Sequence, residues 1–127
     1  MLNRSAKQLV AEANAVVESL PADEAVKLVG APGVLFVDVR EPAELANSGV
    51  VKGAVHVPRG LLEFQADPES PTHRTELSKA SRLVLYCGSG ARSALAAKTL
   101  QDMGLSGVAH VSGGFPALKS VGAPLEG

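Results

Sequence analysis

Apolar residues fall into short continuous blocks separated by segments of helical period. Val34-Leu35-Phe36-Val37-Asp38-Val39, Leu83-Val84-Leu85-Tyr86, Val108-Ala109-His110-Val111 and the shorter Ala54-Val55-His56-Val57 are rich in branched residues. Runs of this kind read as strands over 34–39, 54–57, 82–86 and 108–111, buried on both faces. Leu9, Val10, Ala13 and Val17 recur at helical spacing behind Ser5, which predicts a helix over 4–15 packed on the outside of the molecule. Pro21 suits a first helical position, with Asp23 and Glu24 in the first turn, and predicts a short helix ending near Gly30. A brief helix is expected over 42–46. A longer one is expected over 91–103, with Ala96, Leu100 and Met103 on one face and Gly104 as its stop. The segment Arg59 to Lys79 is dense in charge, Pro and Ser and reads as a helical turn followed by an irregular excursion.

Strands alternating with helices define an α/β fold, a mainly parallel central sheet with helices on both faces and right-handed crossovers. With 127 residues and no internal repeat, the chain is expected to form a single domain over 1–127, its first 15 residues a helical extension. Ligands of such sheets bind beyond the carboxyl ends of the strands. Asp38 and Arg40 end one strand, Arg59 follows another, Cys87 ends a third and Gly113-Gly114 follow a fourth, so all four groups are expected at one edge.

Charge adds mainly exclusions. Twelve basic residues against thirteen acidic ones leave no field that would attract nucleic acid or an anionic membrane. No apolar stretch is long enough to span a bilayer, and the first residues lack the apolar core of a signal peptide, so a cytoplasmic location is expected. The one cysteine excludes an internal disulfide and a Cys-rich metal site and suits a reducing compartment. His56, His73 and His110 show no paired ligand spacing, so no metal is expected and structural roles fit them better. Gly88 and Gly90 lack the third glycine and following acidic residue of a dinucleotide fingerprint, and no cofactor is expected.

The candidate chemistry lies in Cys87-Gly88-Ser89-Gly90-Ala91-Arg92-Ser93, where a strand ends in a glycine-bearing turn that opens a helix. Most lone cysteines are small buried hydrophobes. Two glycines and an arginine five residues on are superfluous to that role and necessary to an anion cradle. First-turn N–H groups have no helical partner and the helix dipole is positive there, so the turn can bind an anion. A free thiol titrates near about pH 8.5, and a helix N-terminus with a guanidinium from Arg92 lowers that value.

This loop resembles the active-site loop of the rhodanese (sulfurtransferase) family, which begins with a nucleophilic Cys and closes with Arg before Ser or Thr. Val37-Asp38-Val39-Arg40-Glu41 resembles the first family signature, and Glu44, Leu45, Gly49, Gly53-Ala54 and Pro58 fall at the spacings of the segment after it. His110-Val111-Ser112-Gly113-Gly114-Phe115 and Gly122-Ala123-Pro124 resemble the closing glycine pair and tail, so the likeness spans roughly residues 15 to 127. Three positions depart from the pattern: Val50 where His is frequent, Leu45 where an aromatic is usual and Leu118 where Trp is common. All are apolar and imply altered packing.

The resemblance implies that Cys87 takes a sulfane sulfur from a small anionic donor such as thiosulfate and holds it as a persulfide. Gly88, Ser89, Gly90, Ala91 and Ser93 would cradle that sulfur. Arg92 would bind donor oxygens or brace the loop, and Asp38 and Arg40 would tie the walls of the site together. Arg59 and Arg74 are candidates for donor recruitment, with a solvated charge the simpler reading. The acceptor would be cyanide or a thiol, with thioredoxin and a sulfur-carrier protein among the candidates. Two other readings stand beside this one. One is a phosphatase or arsenate reductase on the same fold, whose loops hold one more residue between Cys and Arg than the four found here. The other is a non-catalytic rhodanese-like interaction module, which commonly lacks the cysteine.

Overall fold

Along the central strand, Leu83, Leu85 and Cys87 alternate with Val84 and Tyr86, and every one of these side chains is buried. Two apolar layers must therefore cover this strand, one on each face. The computed structural model, which describes Met1–Gly127, shows how they do so. In chain order the elements are α1 (Ala6–Val16), β1 (Glu18–Leu20), α2 (Ala22–Ala25), β2 (Val34–Asp38), α3 (Pro42–Ser48), β3 (Val50–Val51) and β4 (Val55–His56). They continue with α4 (Leu62–Ala66), α5 (Thr75–Lys79), β5 (Arg82–Tyr86), α6 (Ala91–Asp102), β6 (Val108–Val111), α7 (Gly114–Ser120) and β7 (Leu125–Glu126).

Five strands form the main sheet in the order β1-β6-β5-β2-β4, every pairing parallel. Beneath one face lie Leu62, Ala66, Leu77, Ala96, Ala97 and Leu100 from α4, α5 and α6, packed on Val37, Leu85 and their neighbours. Ala22 and Ala25 of α2 and Phe115 and Leu118 of α7 cover Phe36, Val84 and Tyr86 on the other. The sheet is thus α/β, mainly parallel and covered on both sides. Alanines at 94, 96 and 97, all fully buried, let α6 lie close against the sheet.

Several elements differ from the sequence reading in instructive ways. The polar triplet Glu18–Leu20 forms an extra edge strand because β6 offers it an open row of backbone groups, pairing Ser19 with His110. Pro21 caps α2 from outside rather than opening it, and α2 gives way at Val26 to a 3-10 turn over Val26–Leu28. The 59–79 excursion holds a 3-10 turn at Arg59–Leu61 and two short helices, α4 and α5. Val50 and Val51 pair antiparallel with the tail residues Glu126 and Leu125 in a separate small sheet. The Tyr86 hydroxyl accepts a bond from the Val51 N–H at 3.0 Å and moors that sheet to the central strand. Helix α1 packs along α6 and buries Ala13 between them.

Candidate active site

Strand β5 delivers Cys87 to the carboxyl edge of the sheet, and the chain then turns through Gly88-Ser89-Gly90 into α6. Gly90 has φ +103 and serves as the helix cap, a left-handed conformation that costs a side-chain-bearing residue about 1–2 kcal/mol. This bend folds the first turn of α6 back over the thiol. The Sγ of Cys87 accepts hydrogen bonds from the N–H groups of Gly90 at 3.0 Å and Ser93 at 3.3 Å, and lies 3.5 Å from the Ser93 hydroxyl. Gly114 presses against the back of the same loop, and the N–H of Phe115 donates to the Cys87 carbonyl at 2.8 Å.

Burial is the largest influence on the Cys87 thiol and pushes its pKa up. Hydrogen bonds from the Ser93 hydroxyl and from the Ser89, Ser93 and Gly90 amides together outweigh it, and the net displacement is downward. The thiol is therefore acidic through hydrogen bonds to its anionic form. The Arg92 guanidinium, expected from the sequence to share that work, is held by Glu44, and its attraction to Cys87 is secondary to that pair.

Two ion pairs frame the loop. Asp38 and Arg40 form a buried pair: Arg40 Nη2 lies 2.7 Å from Asp38 Oδ2 and Nε 3.0 Å from Oδ1. The same guanidinium donates to the Ser48 hydroxyl and the Gly49 carbonyl and sits 4.3 Å from the centre of the Phe115 ring. It ties β2, α3 and α7 together. In the second pair, Arg92 Nη1 and Nη2 bind both carboxylate oxygens of Glu44 at 2.7 and 2.9 Å. Glu44 is aimed by the capping box of α3, in which its Oε1 also accepts the Glu41 N–H at 3.0 Å. The hydrogen bond from Arg92, then that from Glu41, holds the Glu44 carboxyl at about 2. These four side chains carry two positive and two negative charges, so the mouth of the site is close to neutral.

A cleft of about 300 Å³ opens between α3 and α7, lined by Arg40, Glu44, Ser48, Gly88 and Phe115. A second cavity, about 350 Å³, lies across the loop and is walled by Val10 and Asn14 of α1, Ser19 of β1, and Ser89, His110 and Gly113. Of the residues singled out from the sequence, Cys87, Gly88, Ser89, Gly90, Ala91 and Ser93 make the loop, and Asp38 and Arg40 its buried wall. Arg59 is not among them: its guanidinium donates to Thr99, two turns along α6 from the loop, and to Glu63. Arg74 donates to the His56 carbonyl at 2.8 Å and to Glu76. Both are spent on the scaffold. Glu44 was visible as a motif position, but its pairing with Arg92 spans 48 residues and no local signal encodes it. Asn14 and His110 reach the site through packing alone.

An open parallel sheet that holds a hydrogen-bonded thiol in a loop at a helix N-terminus defines an α/β domain with its candidate site at the carboxyl edge of the strands. The chain matches the Rhodanese-like domain family over residues 21–120, and it belongs to that family. It is 34% identical over 99 residues to a sulfurtransferase of Allochromatium vinosum, covering 78% of this chain and 84% of that protein. It is 30% identical over 98 residues to thiosulfate sulfurtransferase 16, chloroplastic, of Arabidopsis thaliana, covering 74% and 81%. Among solved structures, a Rhodopseudomonas palustris protein of unknown function, described as a possible tyrosine phosphatase, superposes with a TM-score of 0.95 at 43% identity over 99% of this chain and 97% of that one. No helix is long and apolar enough to cross a membrane.

Proposed function

We propose that this protein moves a sulfane sulfur from thiosulfate or another persulfide donor to a thiophilic acceptor through a persulfide on Cys87. The observation that carries this reading is the ring of donors around Sγ, because it stabilises the thiolate that sulfur transfer needs both as nucleophile and as leaving group. The thiolate attacks the outer sulfur of thiosulfate. Its lone pair forms the new S–S bond, and the electrons of the old one leave with sulfite. A nucleophile such as cyanide or a thiolate then takes the outer sulfur, and Cys87 departs as the thiolate. Sulfur-named relatives support the chemistry, and the donor and acceptor classes are our assignment.

The description of the Rhodopseudomonas palustris protein raises phosphatase chemistry as a second reading. Against it stands the Arg92 fork, whose two nitrogens already hold Glu44, leaving the equatorial oxygens of a phosphoryl group without a guanidinium. Intact-mass measurement separates the readings. Thiosulfate should add one sulfur atom, excess cyanide should remove it, and Cys87→Ser should abolish both steps. Phosphate release from an aryl phosphate without any sulfur adduct would establish the phosphatase reading instead. Inertness toward thiosulfate, glutathione persulfide and aryl phosphate alike would make the protein an interaction module.

A further inference from the structure

The structure contains a buried titratable group that sulfur transfer, as described above, leaves idle. His110 of β6 is 2% exposed and lies on the face of the sheet covered by α1 and α6. Its Nε2 is 2.8 Å from Asn14 Oδ1 and 3.0 Å from the Ser19 hydroxyl, and its Nδ1 is 3.0 Å from the Ser93 hydroxyl. Asn14 Oδ1 can only accept, so Nε2 carries the ring hydrogen and Nδ1 presents a lone pair to Ser93. Ser93 Oγ is in turn 3.5 Å from the Cys87 sulfur. A continuous chain of groups runs from the nucleophile to a helix that lies outside the family's matched segment.

The geometry points to His110 as the acceptor of the Cys87 proton, reached through the Ser93 hydroxyl and oriented by Asn14 and Ser19. The S–H bond breaks as its proton passes to Ser93 Oγ, while the proton Ser93 already holds passes to His110 Nδ1. A thiol and a neutral imidazole become a thiolate and an imidazolium, with no other reactant. The two hydrogen bonds of the relay reverse, while that from Nε2 to Asn14 is kept: Nδ1–H now donates to Ser93 Oγ, and the Ser93 O–H donates to the thiolate. The polar cavity that His110, Asn14 and Ser19 line gives the Nε2 proton a way to solvent.

The surroundings suit a transient cation. Groups facing the ring are Asn14 from α1, Ser19 from β1, Ser93 from α6 and, through Ser93, Cys87 from β5. None is a standing charge, and no charged side chain lines the cavity. Burial pushes the imidazole toward its neutral form, so it keeps the proton only while the thiolate is there to balance it. The two groups therefore titrate as a pair. His110 acts through Ser93 and is a positioning residue in that sense.

This assignment rests on Cys87 being the reacting thiol, and its test does not depend on sulfur transfer. His110→Asn keeps an acceptor for the Ser93 hydroxyl but cannot take a proton. Iodoacetamide alkylation of Cys87 should then show its inflection about one pH unit higher, with a rate at pH 7 lowered about tenfold. In wild type, the His110 ring followed by NMR should titrate at lower pH once Cys87 is blocked by iodoacetamide. Superimposable alkylation profiles, or a His110 titration indifferent to the block, would overturn the relay. The NMR arm decides alone if His110→Asn does not fold. Persulfide loading measured on the same samples keeps the two claims apart: loading with unshifted profiles removes only the relay, and shifted profiles without loading remove only the sulfur transfer.

Discussion

Gly114 is where packing of the fold sets the shape of the loop, and Gly114→Ala measures how firmly. The residue has φ +65, and a Cβ built on it would lie 2.5 Å from the Cys87 carbonyl oxygen, 2.8 Å from Gly88 C and 2.8 Å from Ser89 N. All three are backbone atoms of the active-site loop, so no side chain can swing aside to make room. The left-handed conformation costs about 1–2 kcal/mol for a residue with a Cβ. Overpacking against fixed atoms adds about 1–3 kcal/mol. The sum, about 2–5 kcal/mol, corresponds to a fall in melting temperature of roughly 8–20 °C for a domain of this size. Gly53→Ala is the matched control: its φ is +82 but nothing lies within 4 Å of the added Cβ, so it should lose only the conformational part. Urea denaturation of the two variants isolates the contact by difference. The Gly114 variant should also alkylate Cys87 with a raised inflection, because the displaced loop loosens the amide bonds to Sγ. A Gly114→Ala protein no less stable than Gly53→Ala, with an unmoved inflection, would refute the claim that this contact shapes the loop.

Asp38→Asn should cost about 3–5 kcal/mol in urea denaturation, because it leaves the Arg40 guanidinium buried without its counter-charge; a loss under about 1 kcal/mol would mean that Ser48, Gly49 and the Phe115 ring suffice to hold it. Arg92→Lys should change stability by less than about 1 kcal/mol, since both partners of the Glu44 pair are more than a third exposed. It should nonetheless slow persulfide formation by about tenfold or more, because a single ammonium cannot replace the two-pronged brace that fixes the first turn of α6. Wild-type loading and donor saturation in that variant would show that the fork is dispensable.

The central elements were legible because their signals are local. The branched run 34–39, the block 82–86 and the alanine-rich 91–103 each carry their own periodicity, and Cys87 to Ser93 carries glycines where a tight turn needs them. Elements defined by a distant partner were not legible. Glu18–Leu20 becomes a strand only against β6, and Val50–Val51 only against the tail. Arg59 shows the same limit at the site: the end of a strand predicts which edge a residue approaches, but not that Glu63 and Thr99 hold its guanidinium away from the thiol. The acidity of Cys87 was readable, and so was the part played by the amides that open α6; the bidentate claim of Glu44 on Arg92 was not, because it appears only when α3 is placed. His110 read as structural because it shows no paired ligand spacing and the helix N-terminus by itself accounts for an activated thiol.

The order of the main sheet also decides which strands lie open at its margins. A parallel sheet ends in two rows of backbone groups open to pairing, and long flat borders of that kind template aggregation. Here the borders are β1, three residues long, and β4, two residues long. Arg74 covers the β4 side by donating to the His56 carbonyl, with Pro58 following close behind. The strand that leads to the nucleophile lies at the middle of the sheet, two places from either border, so its apolar run Leu83–Tyr86 has both rows of backbone groups paired and no open side to offer a neighbour.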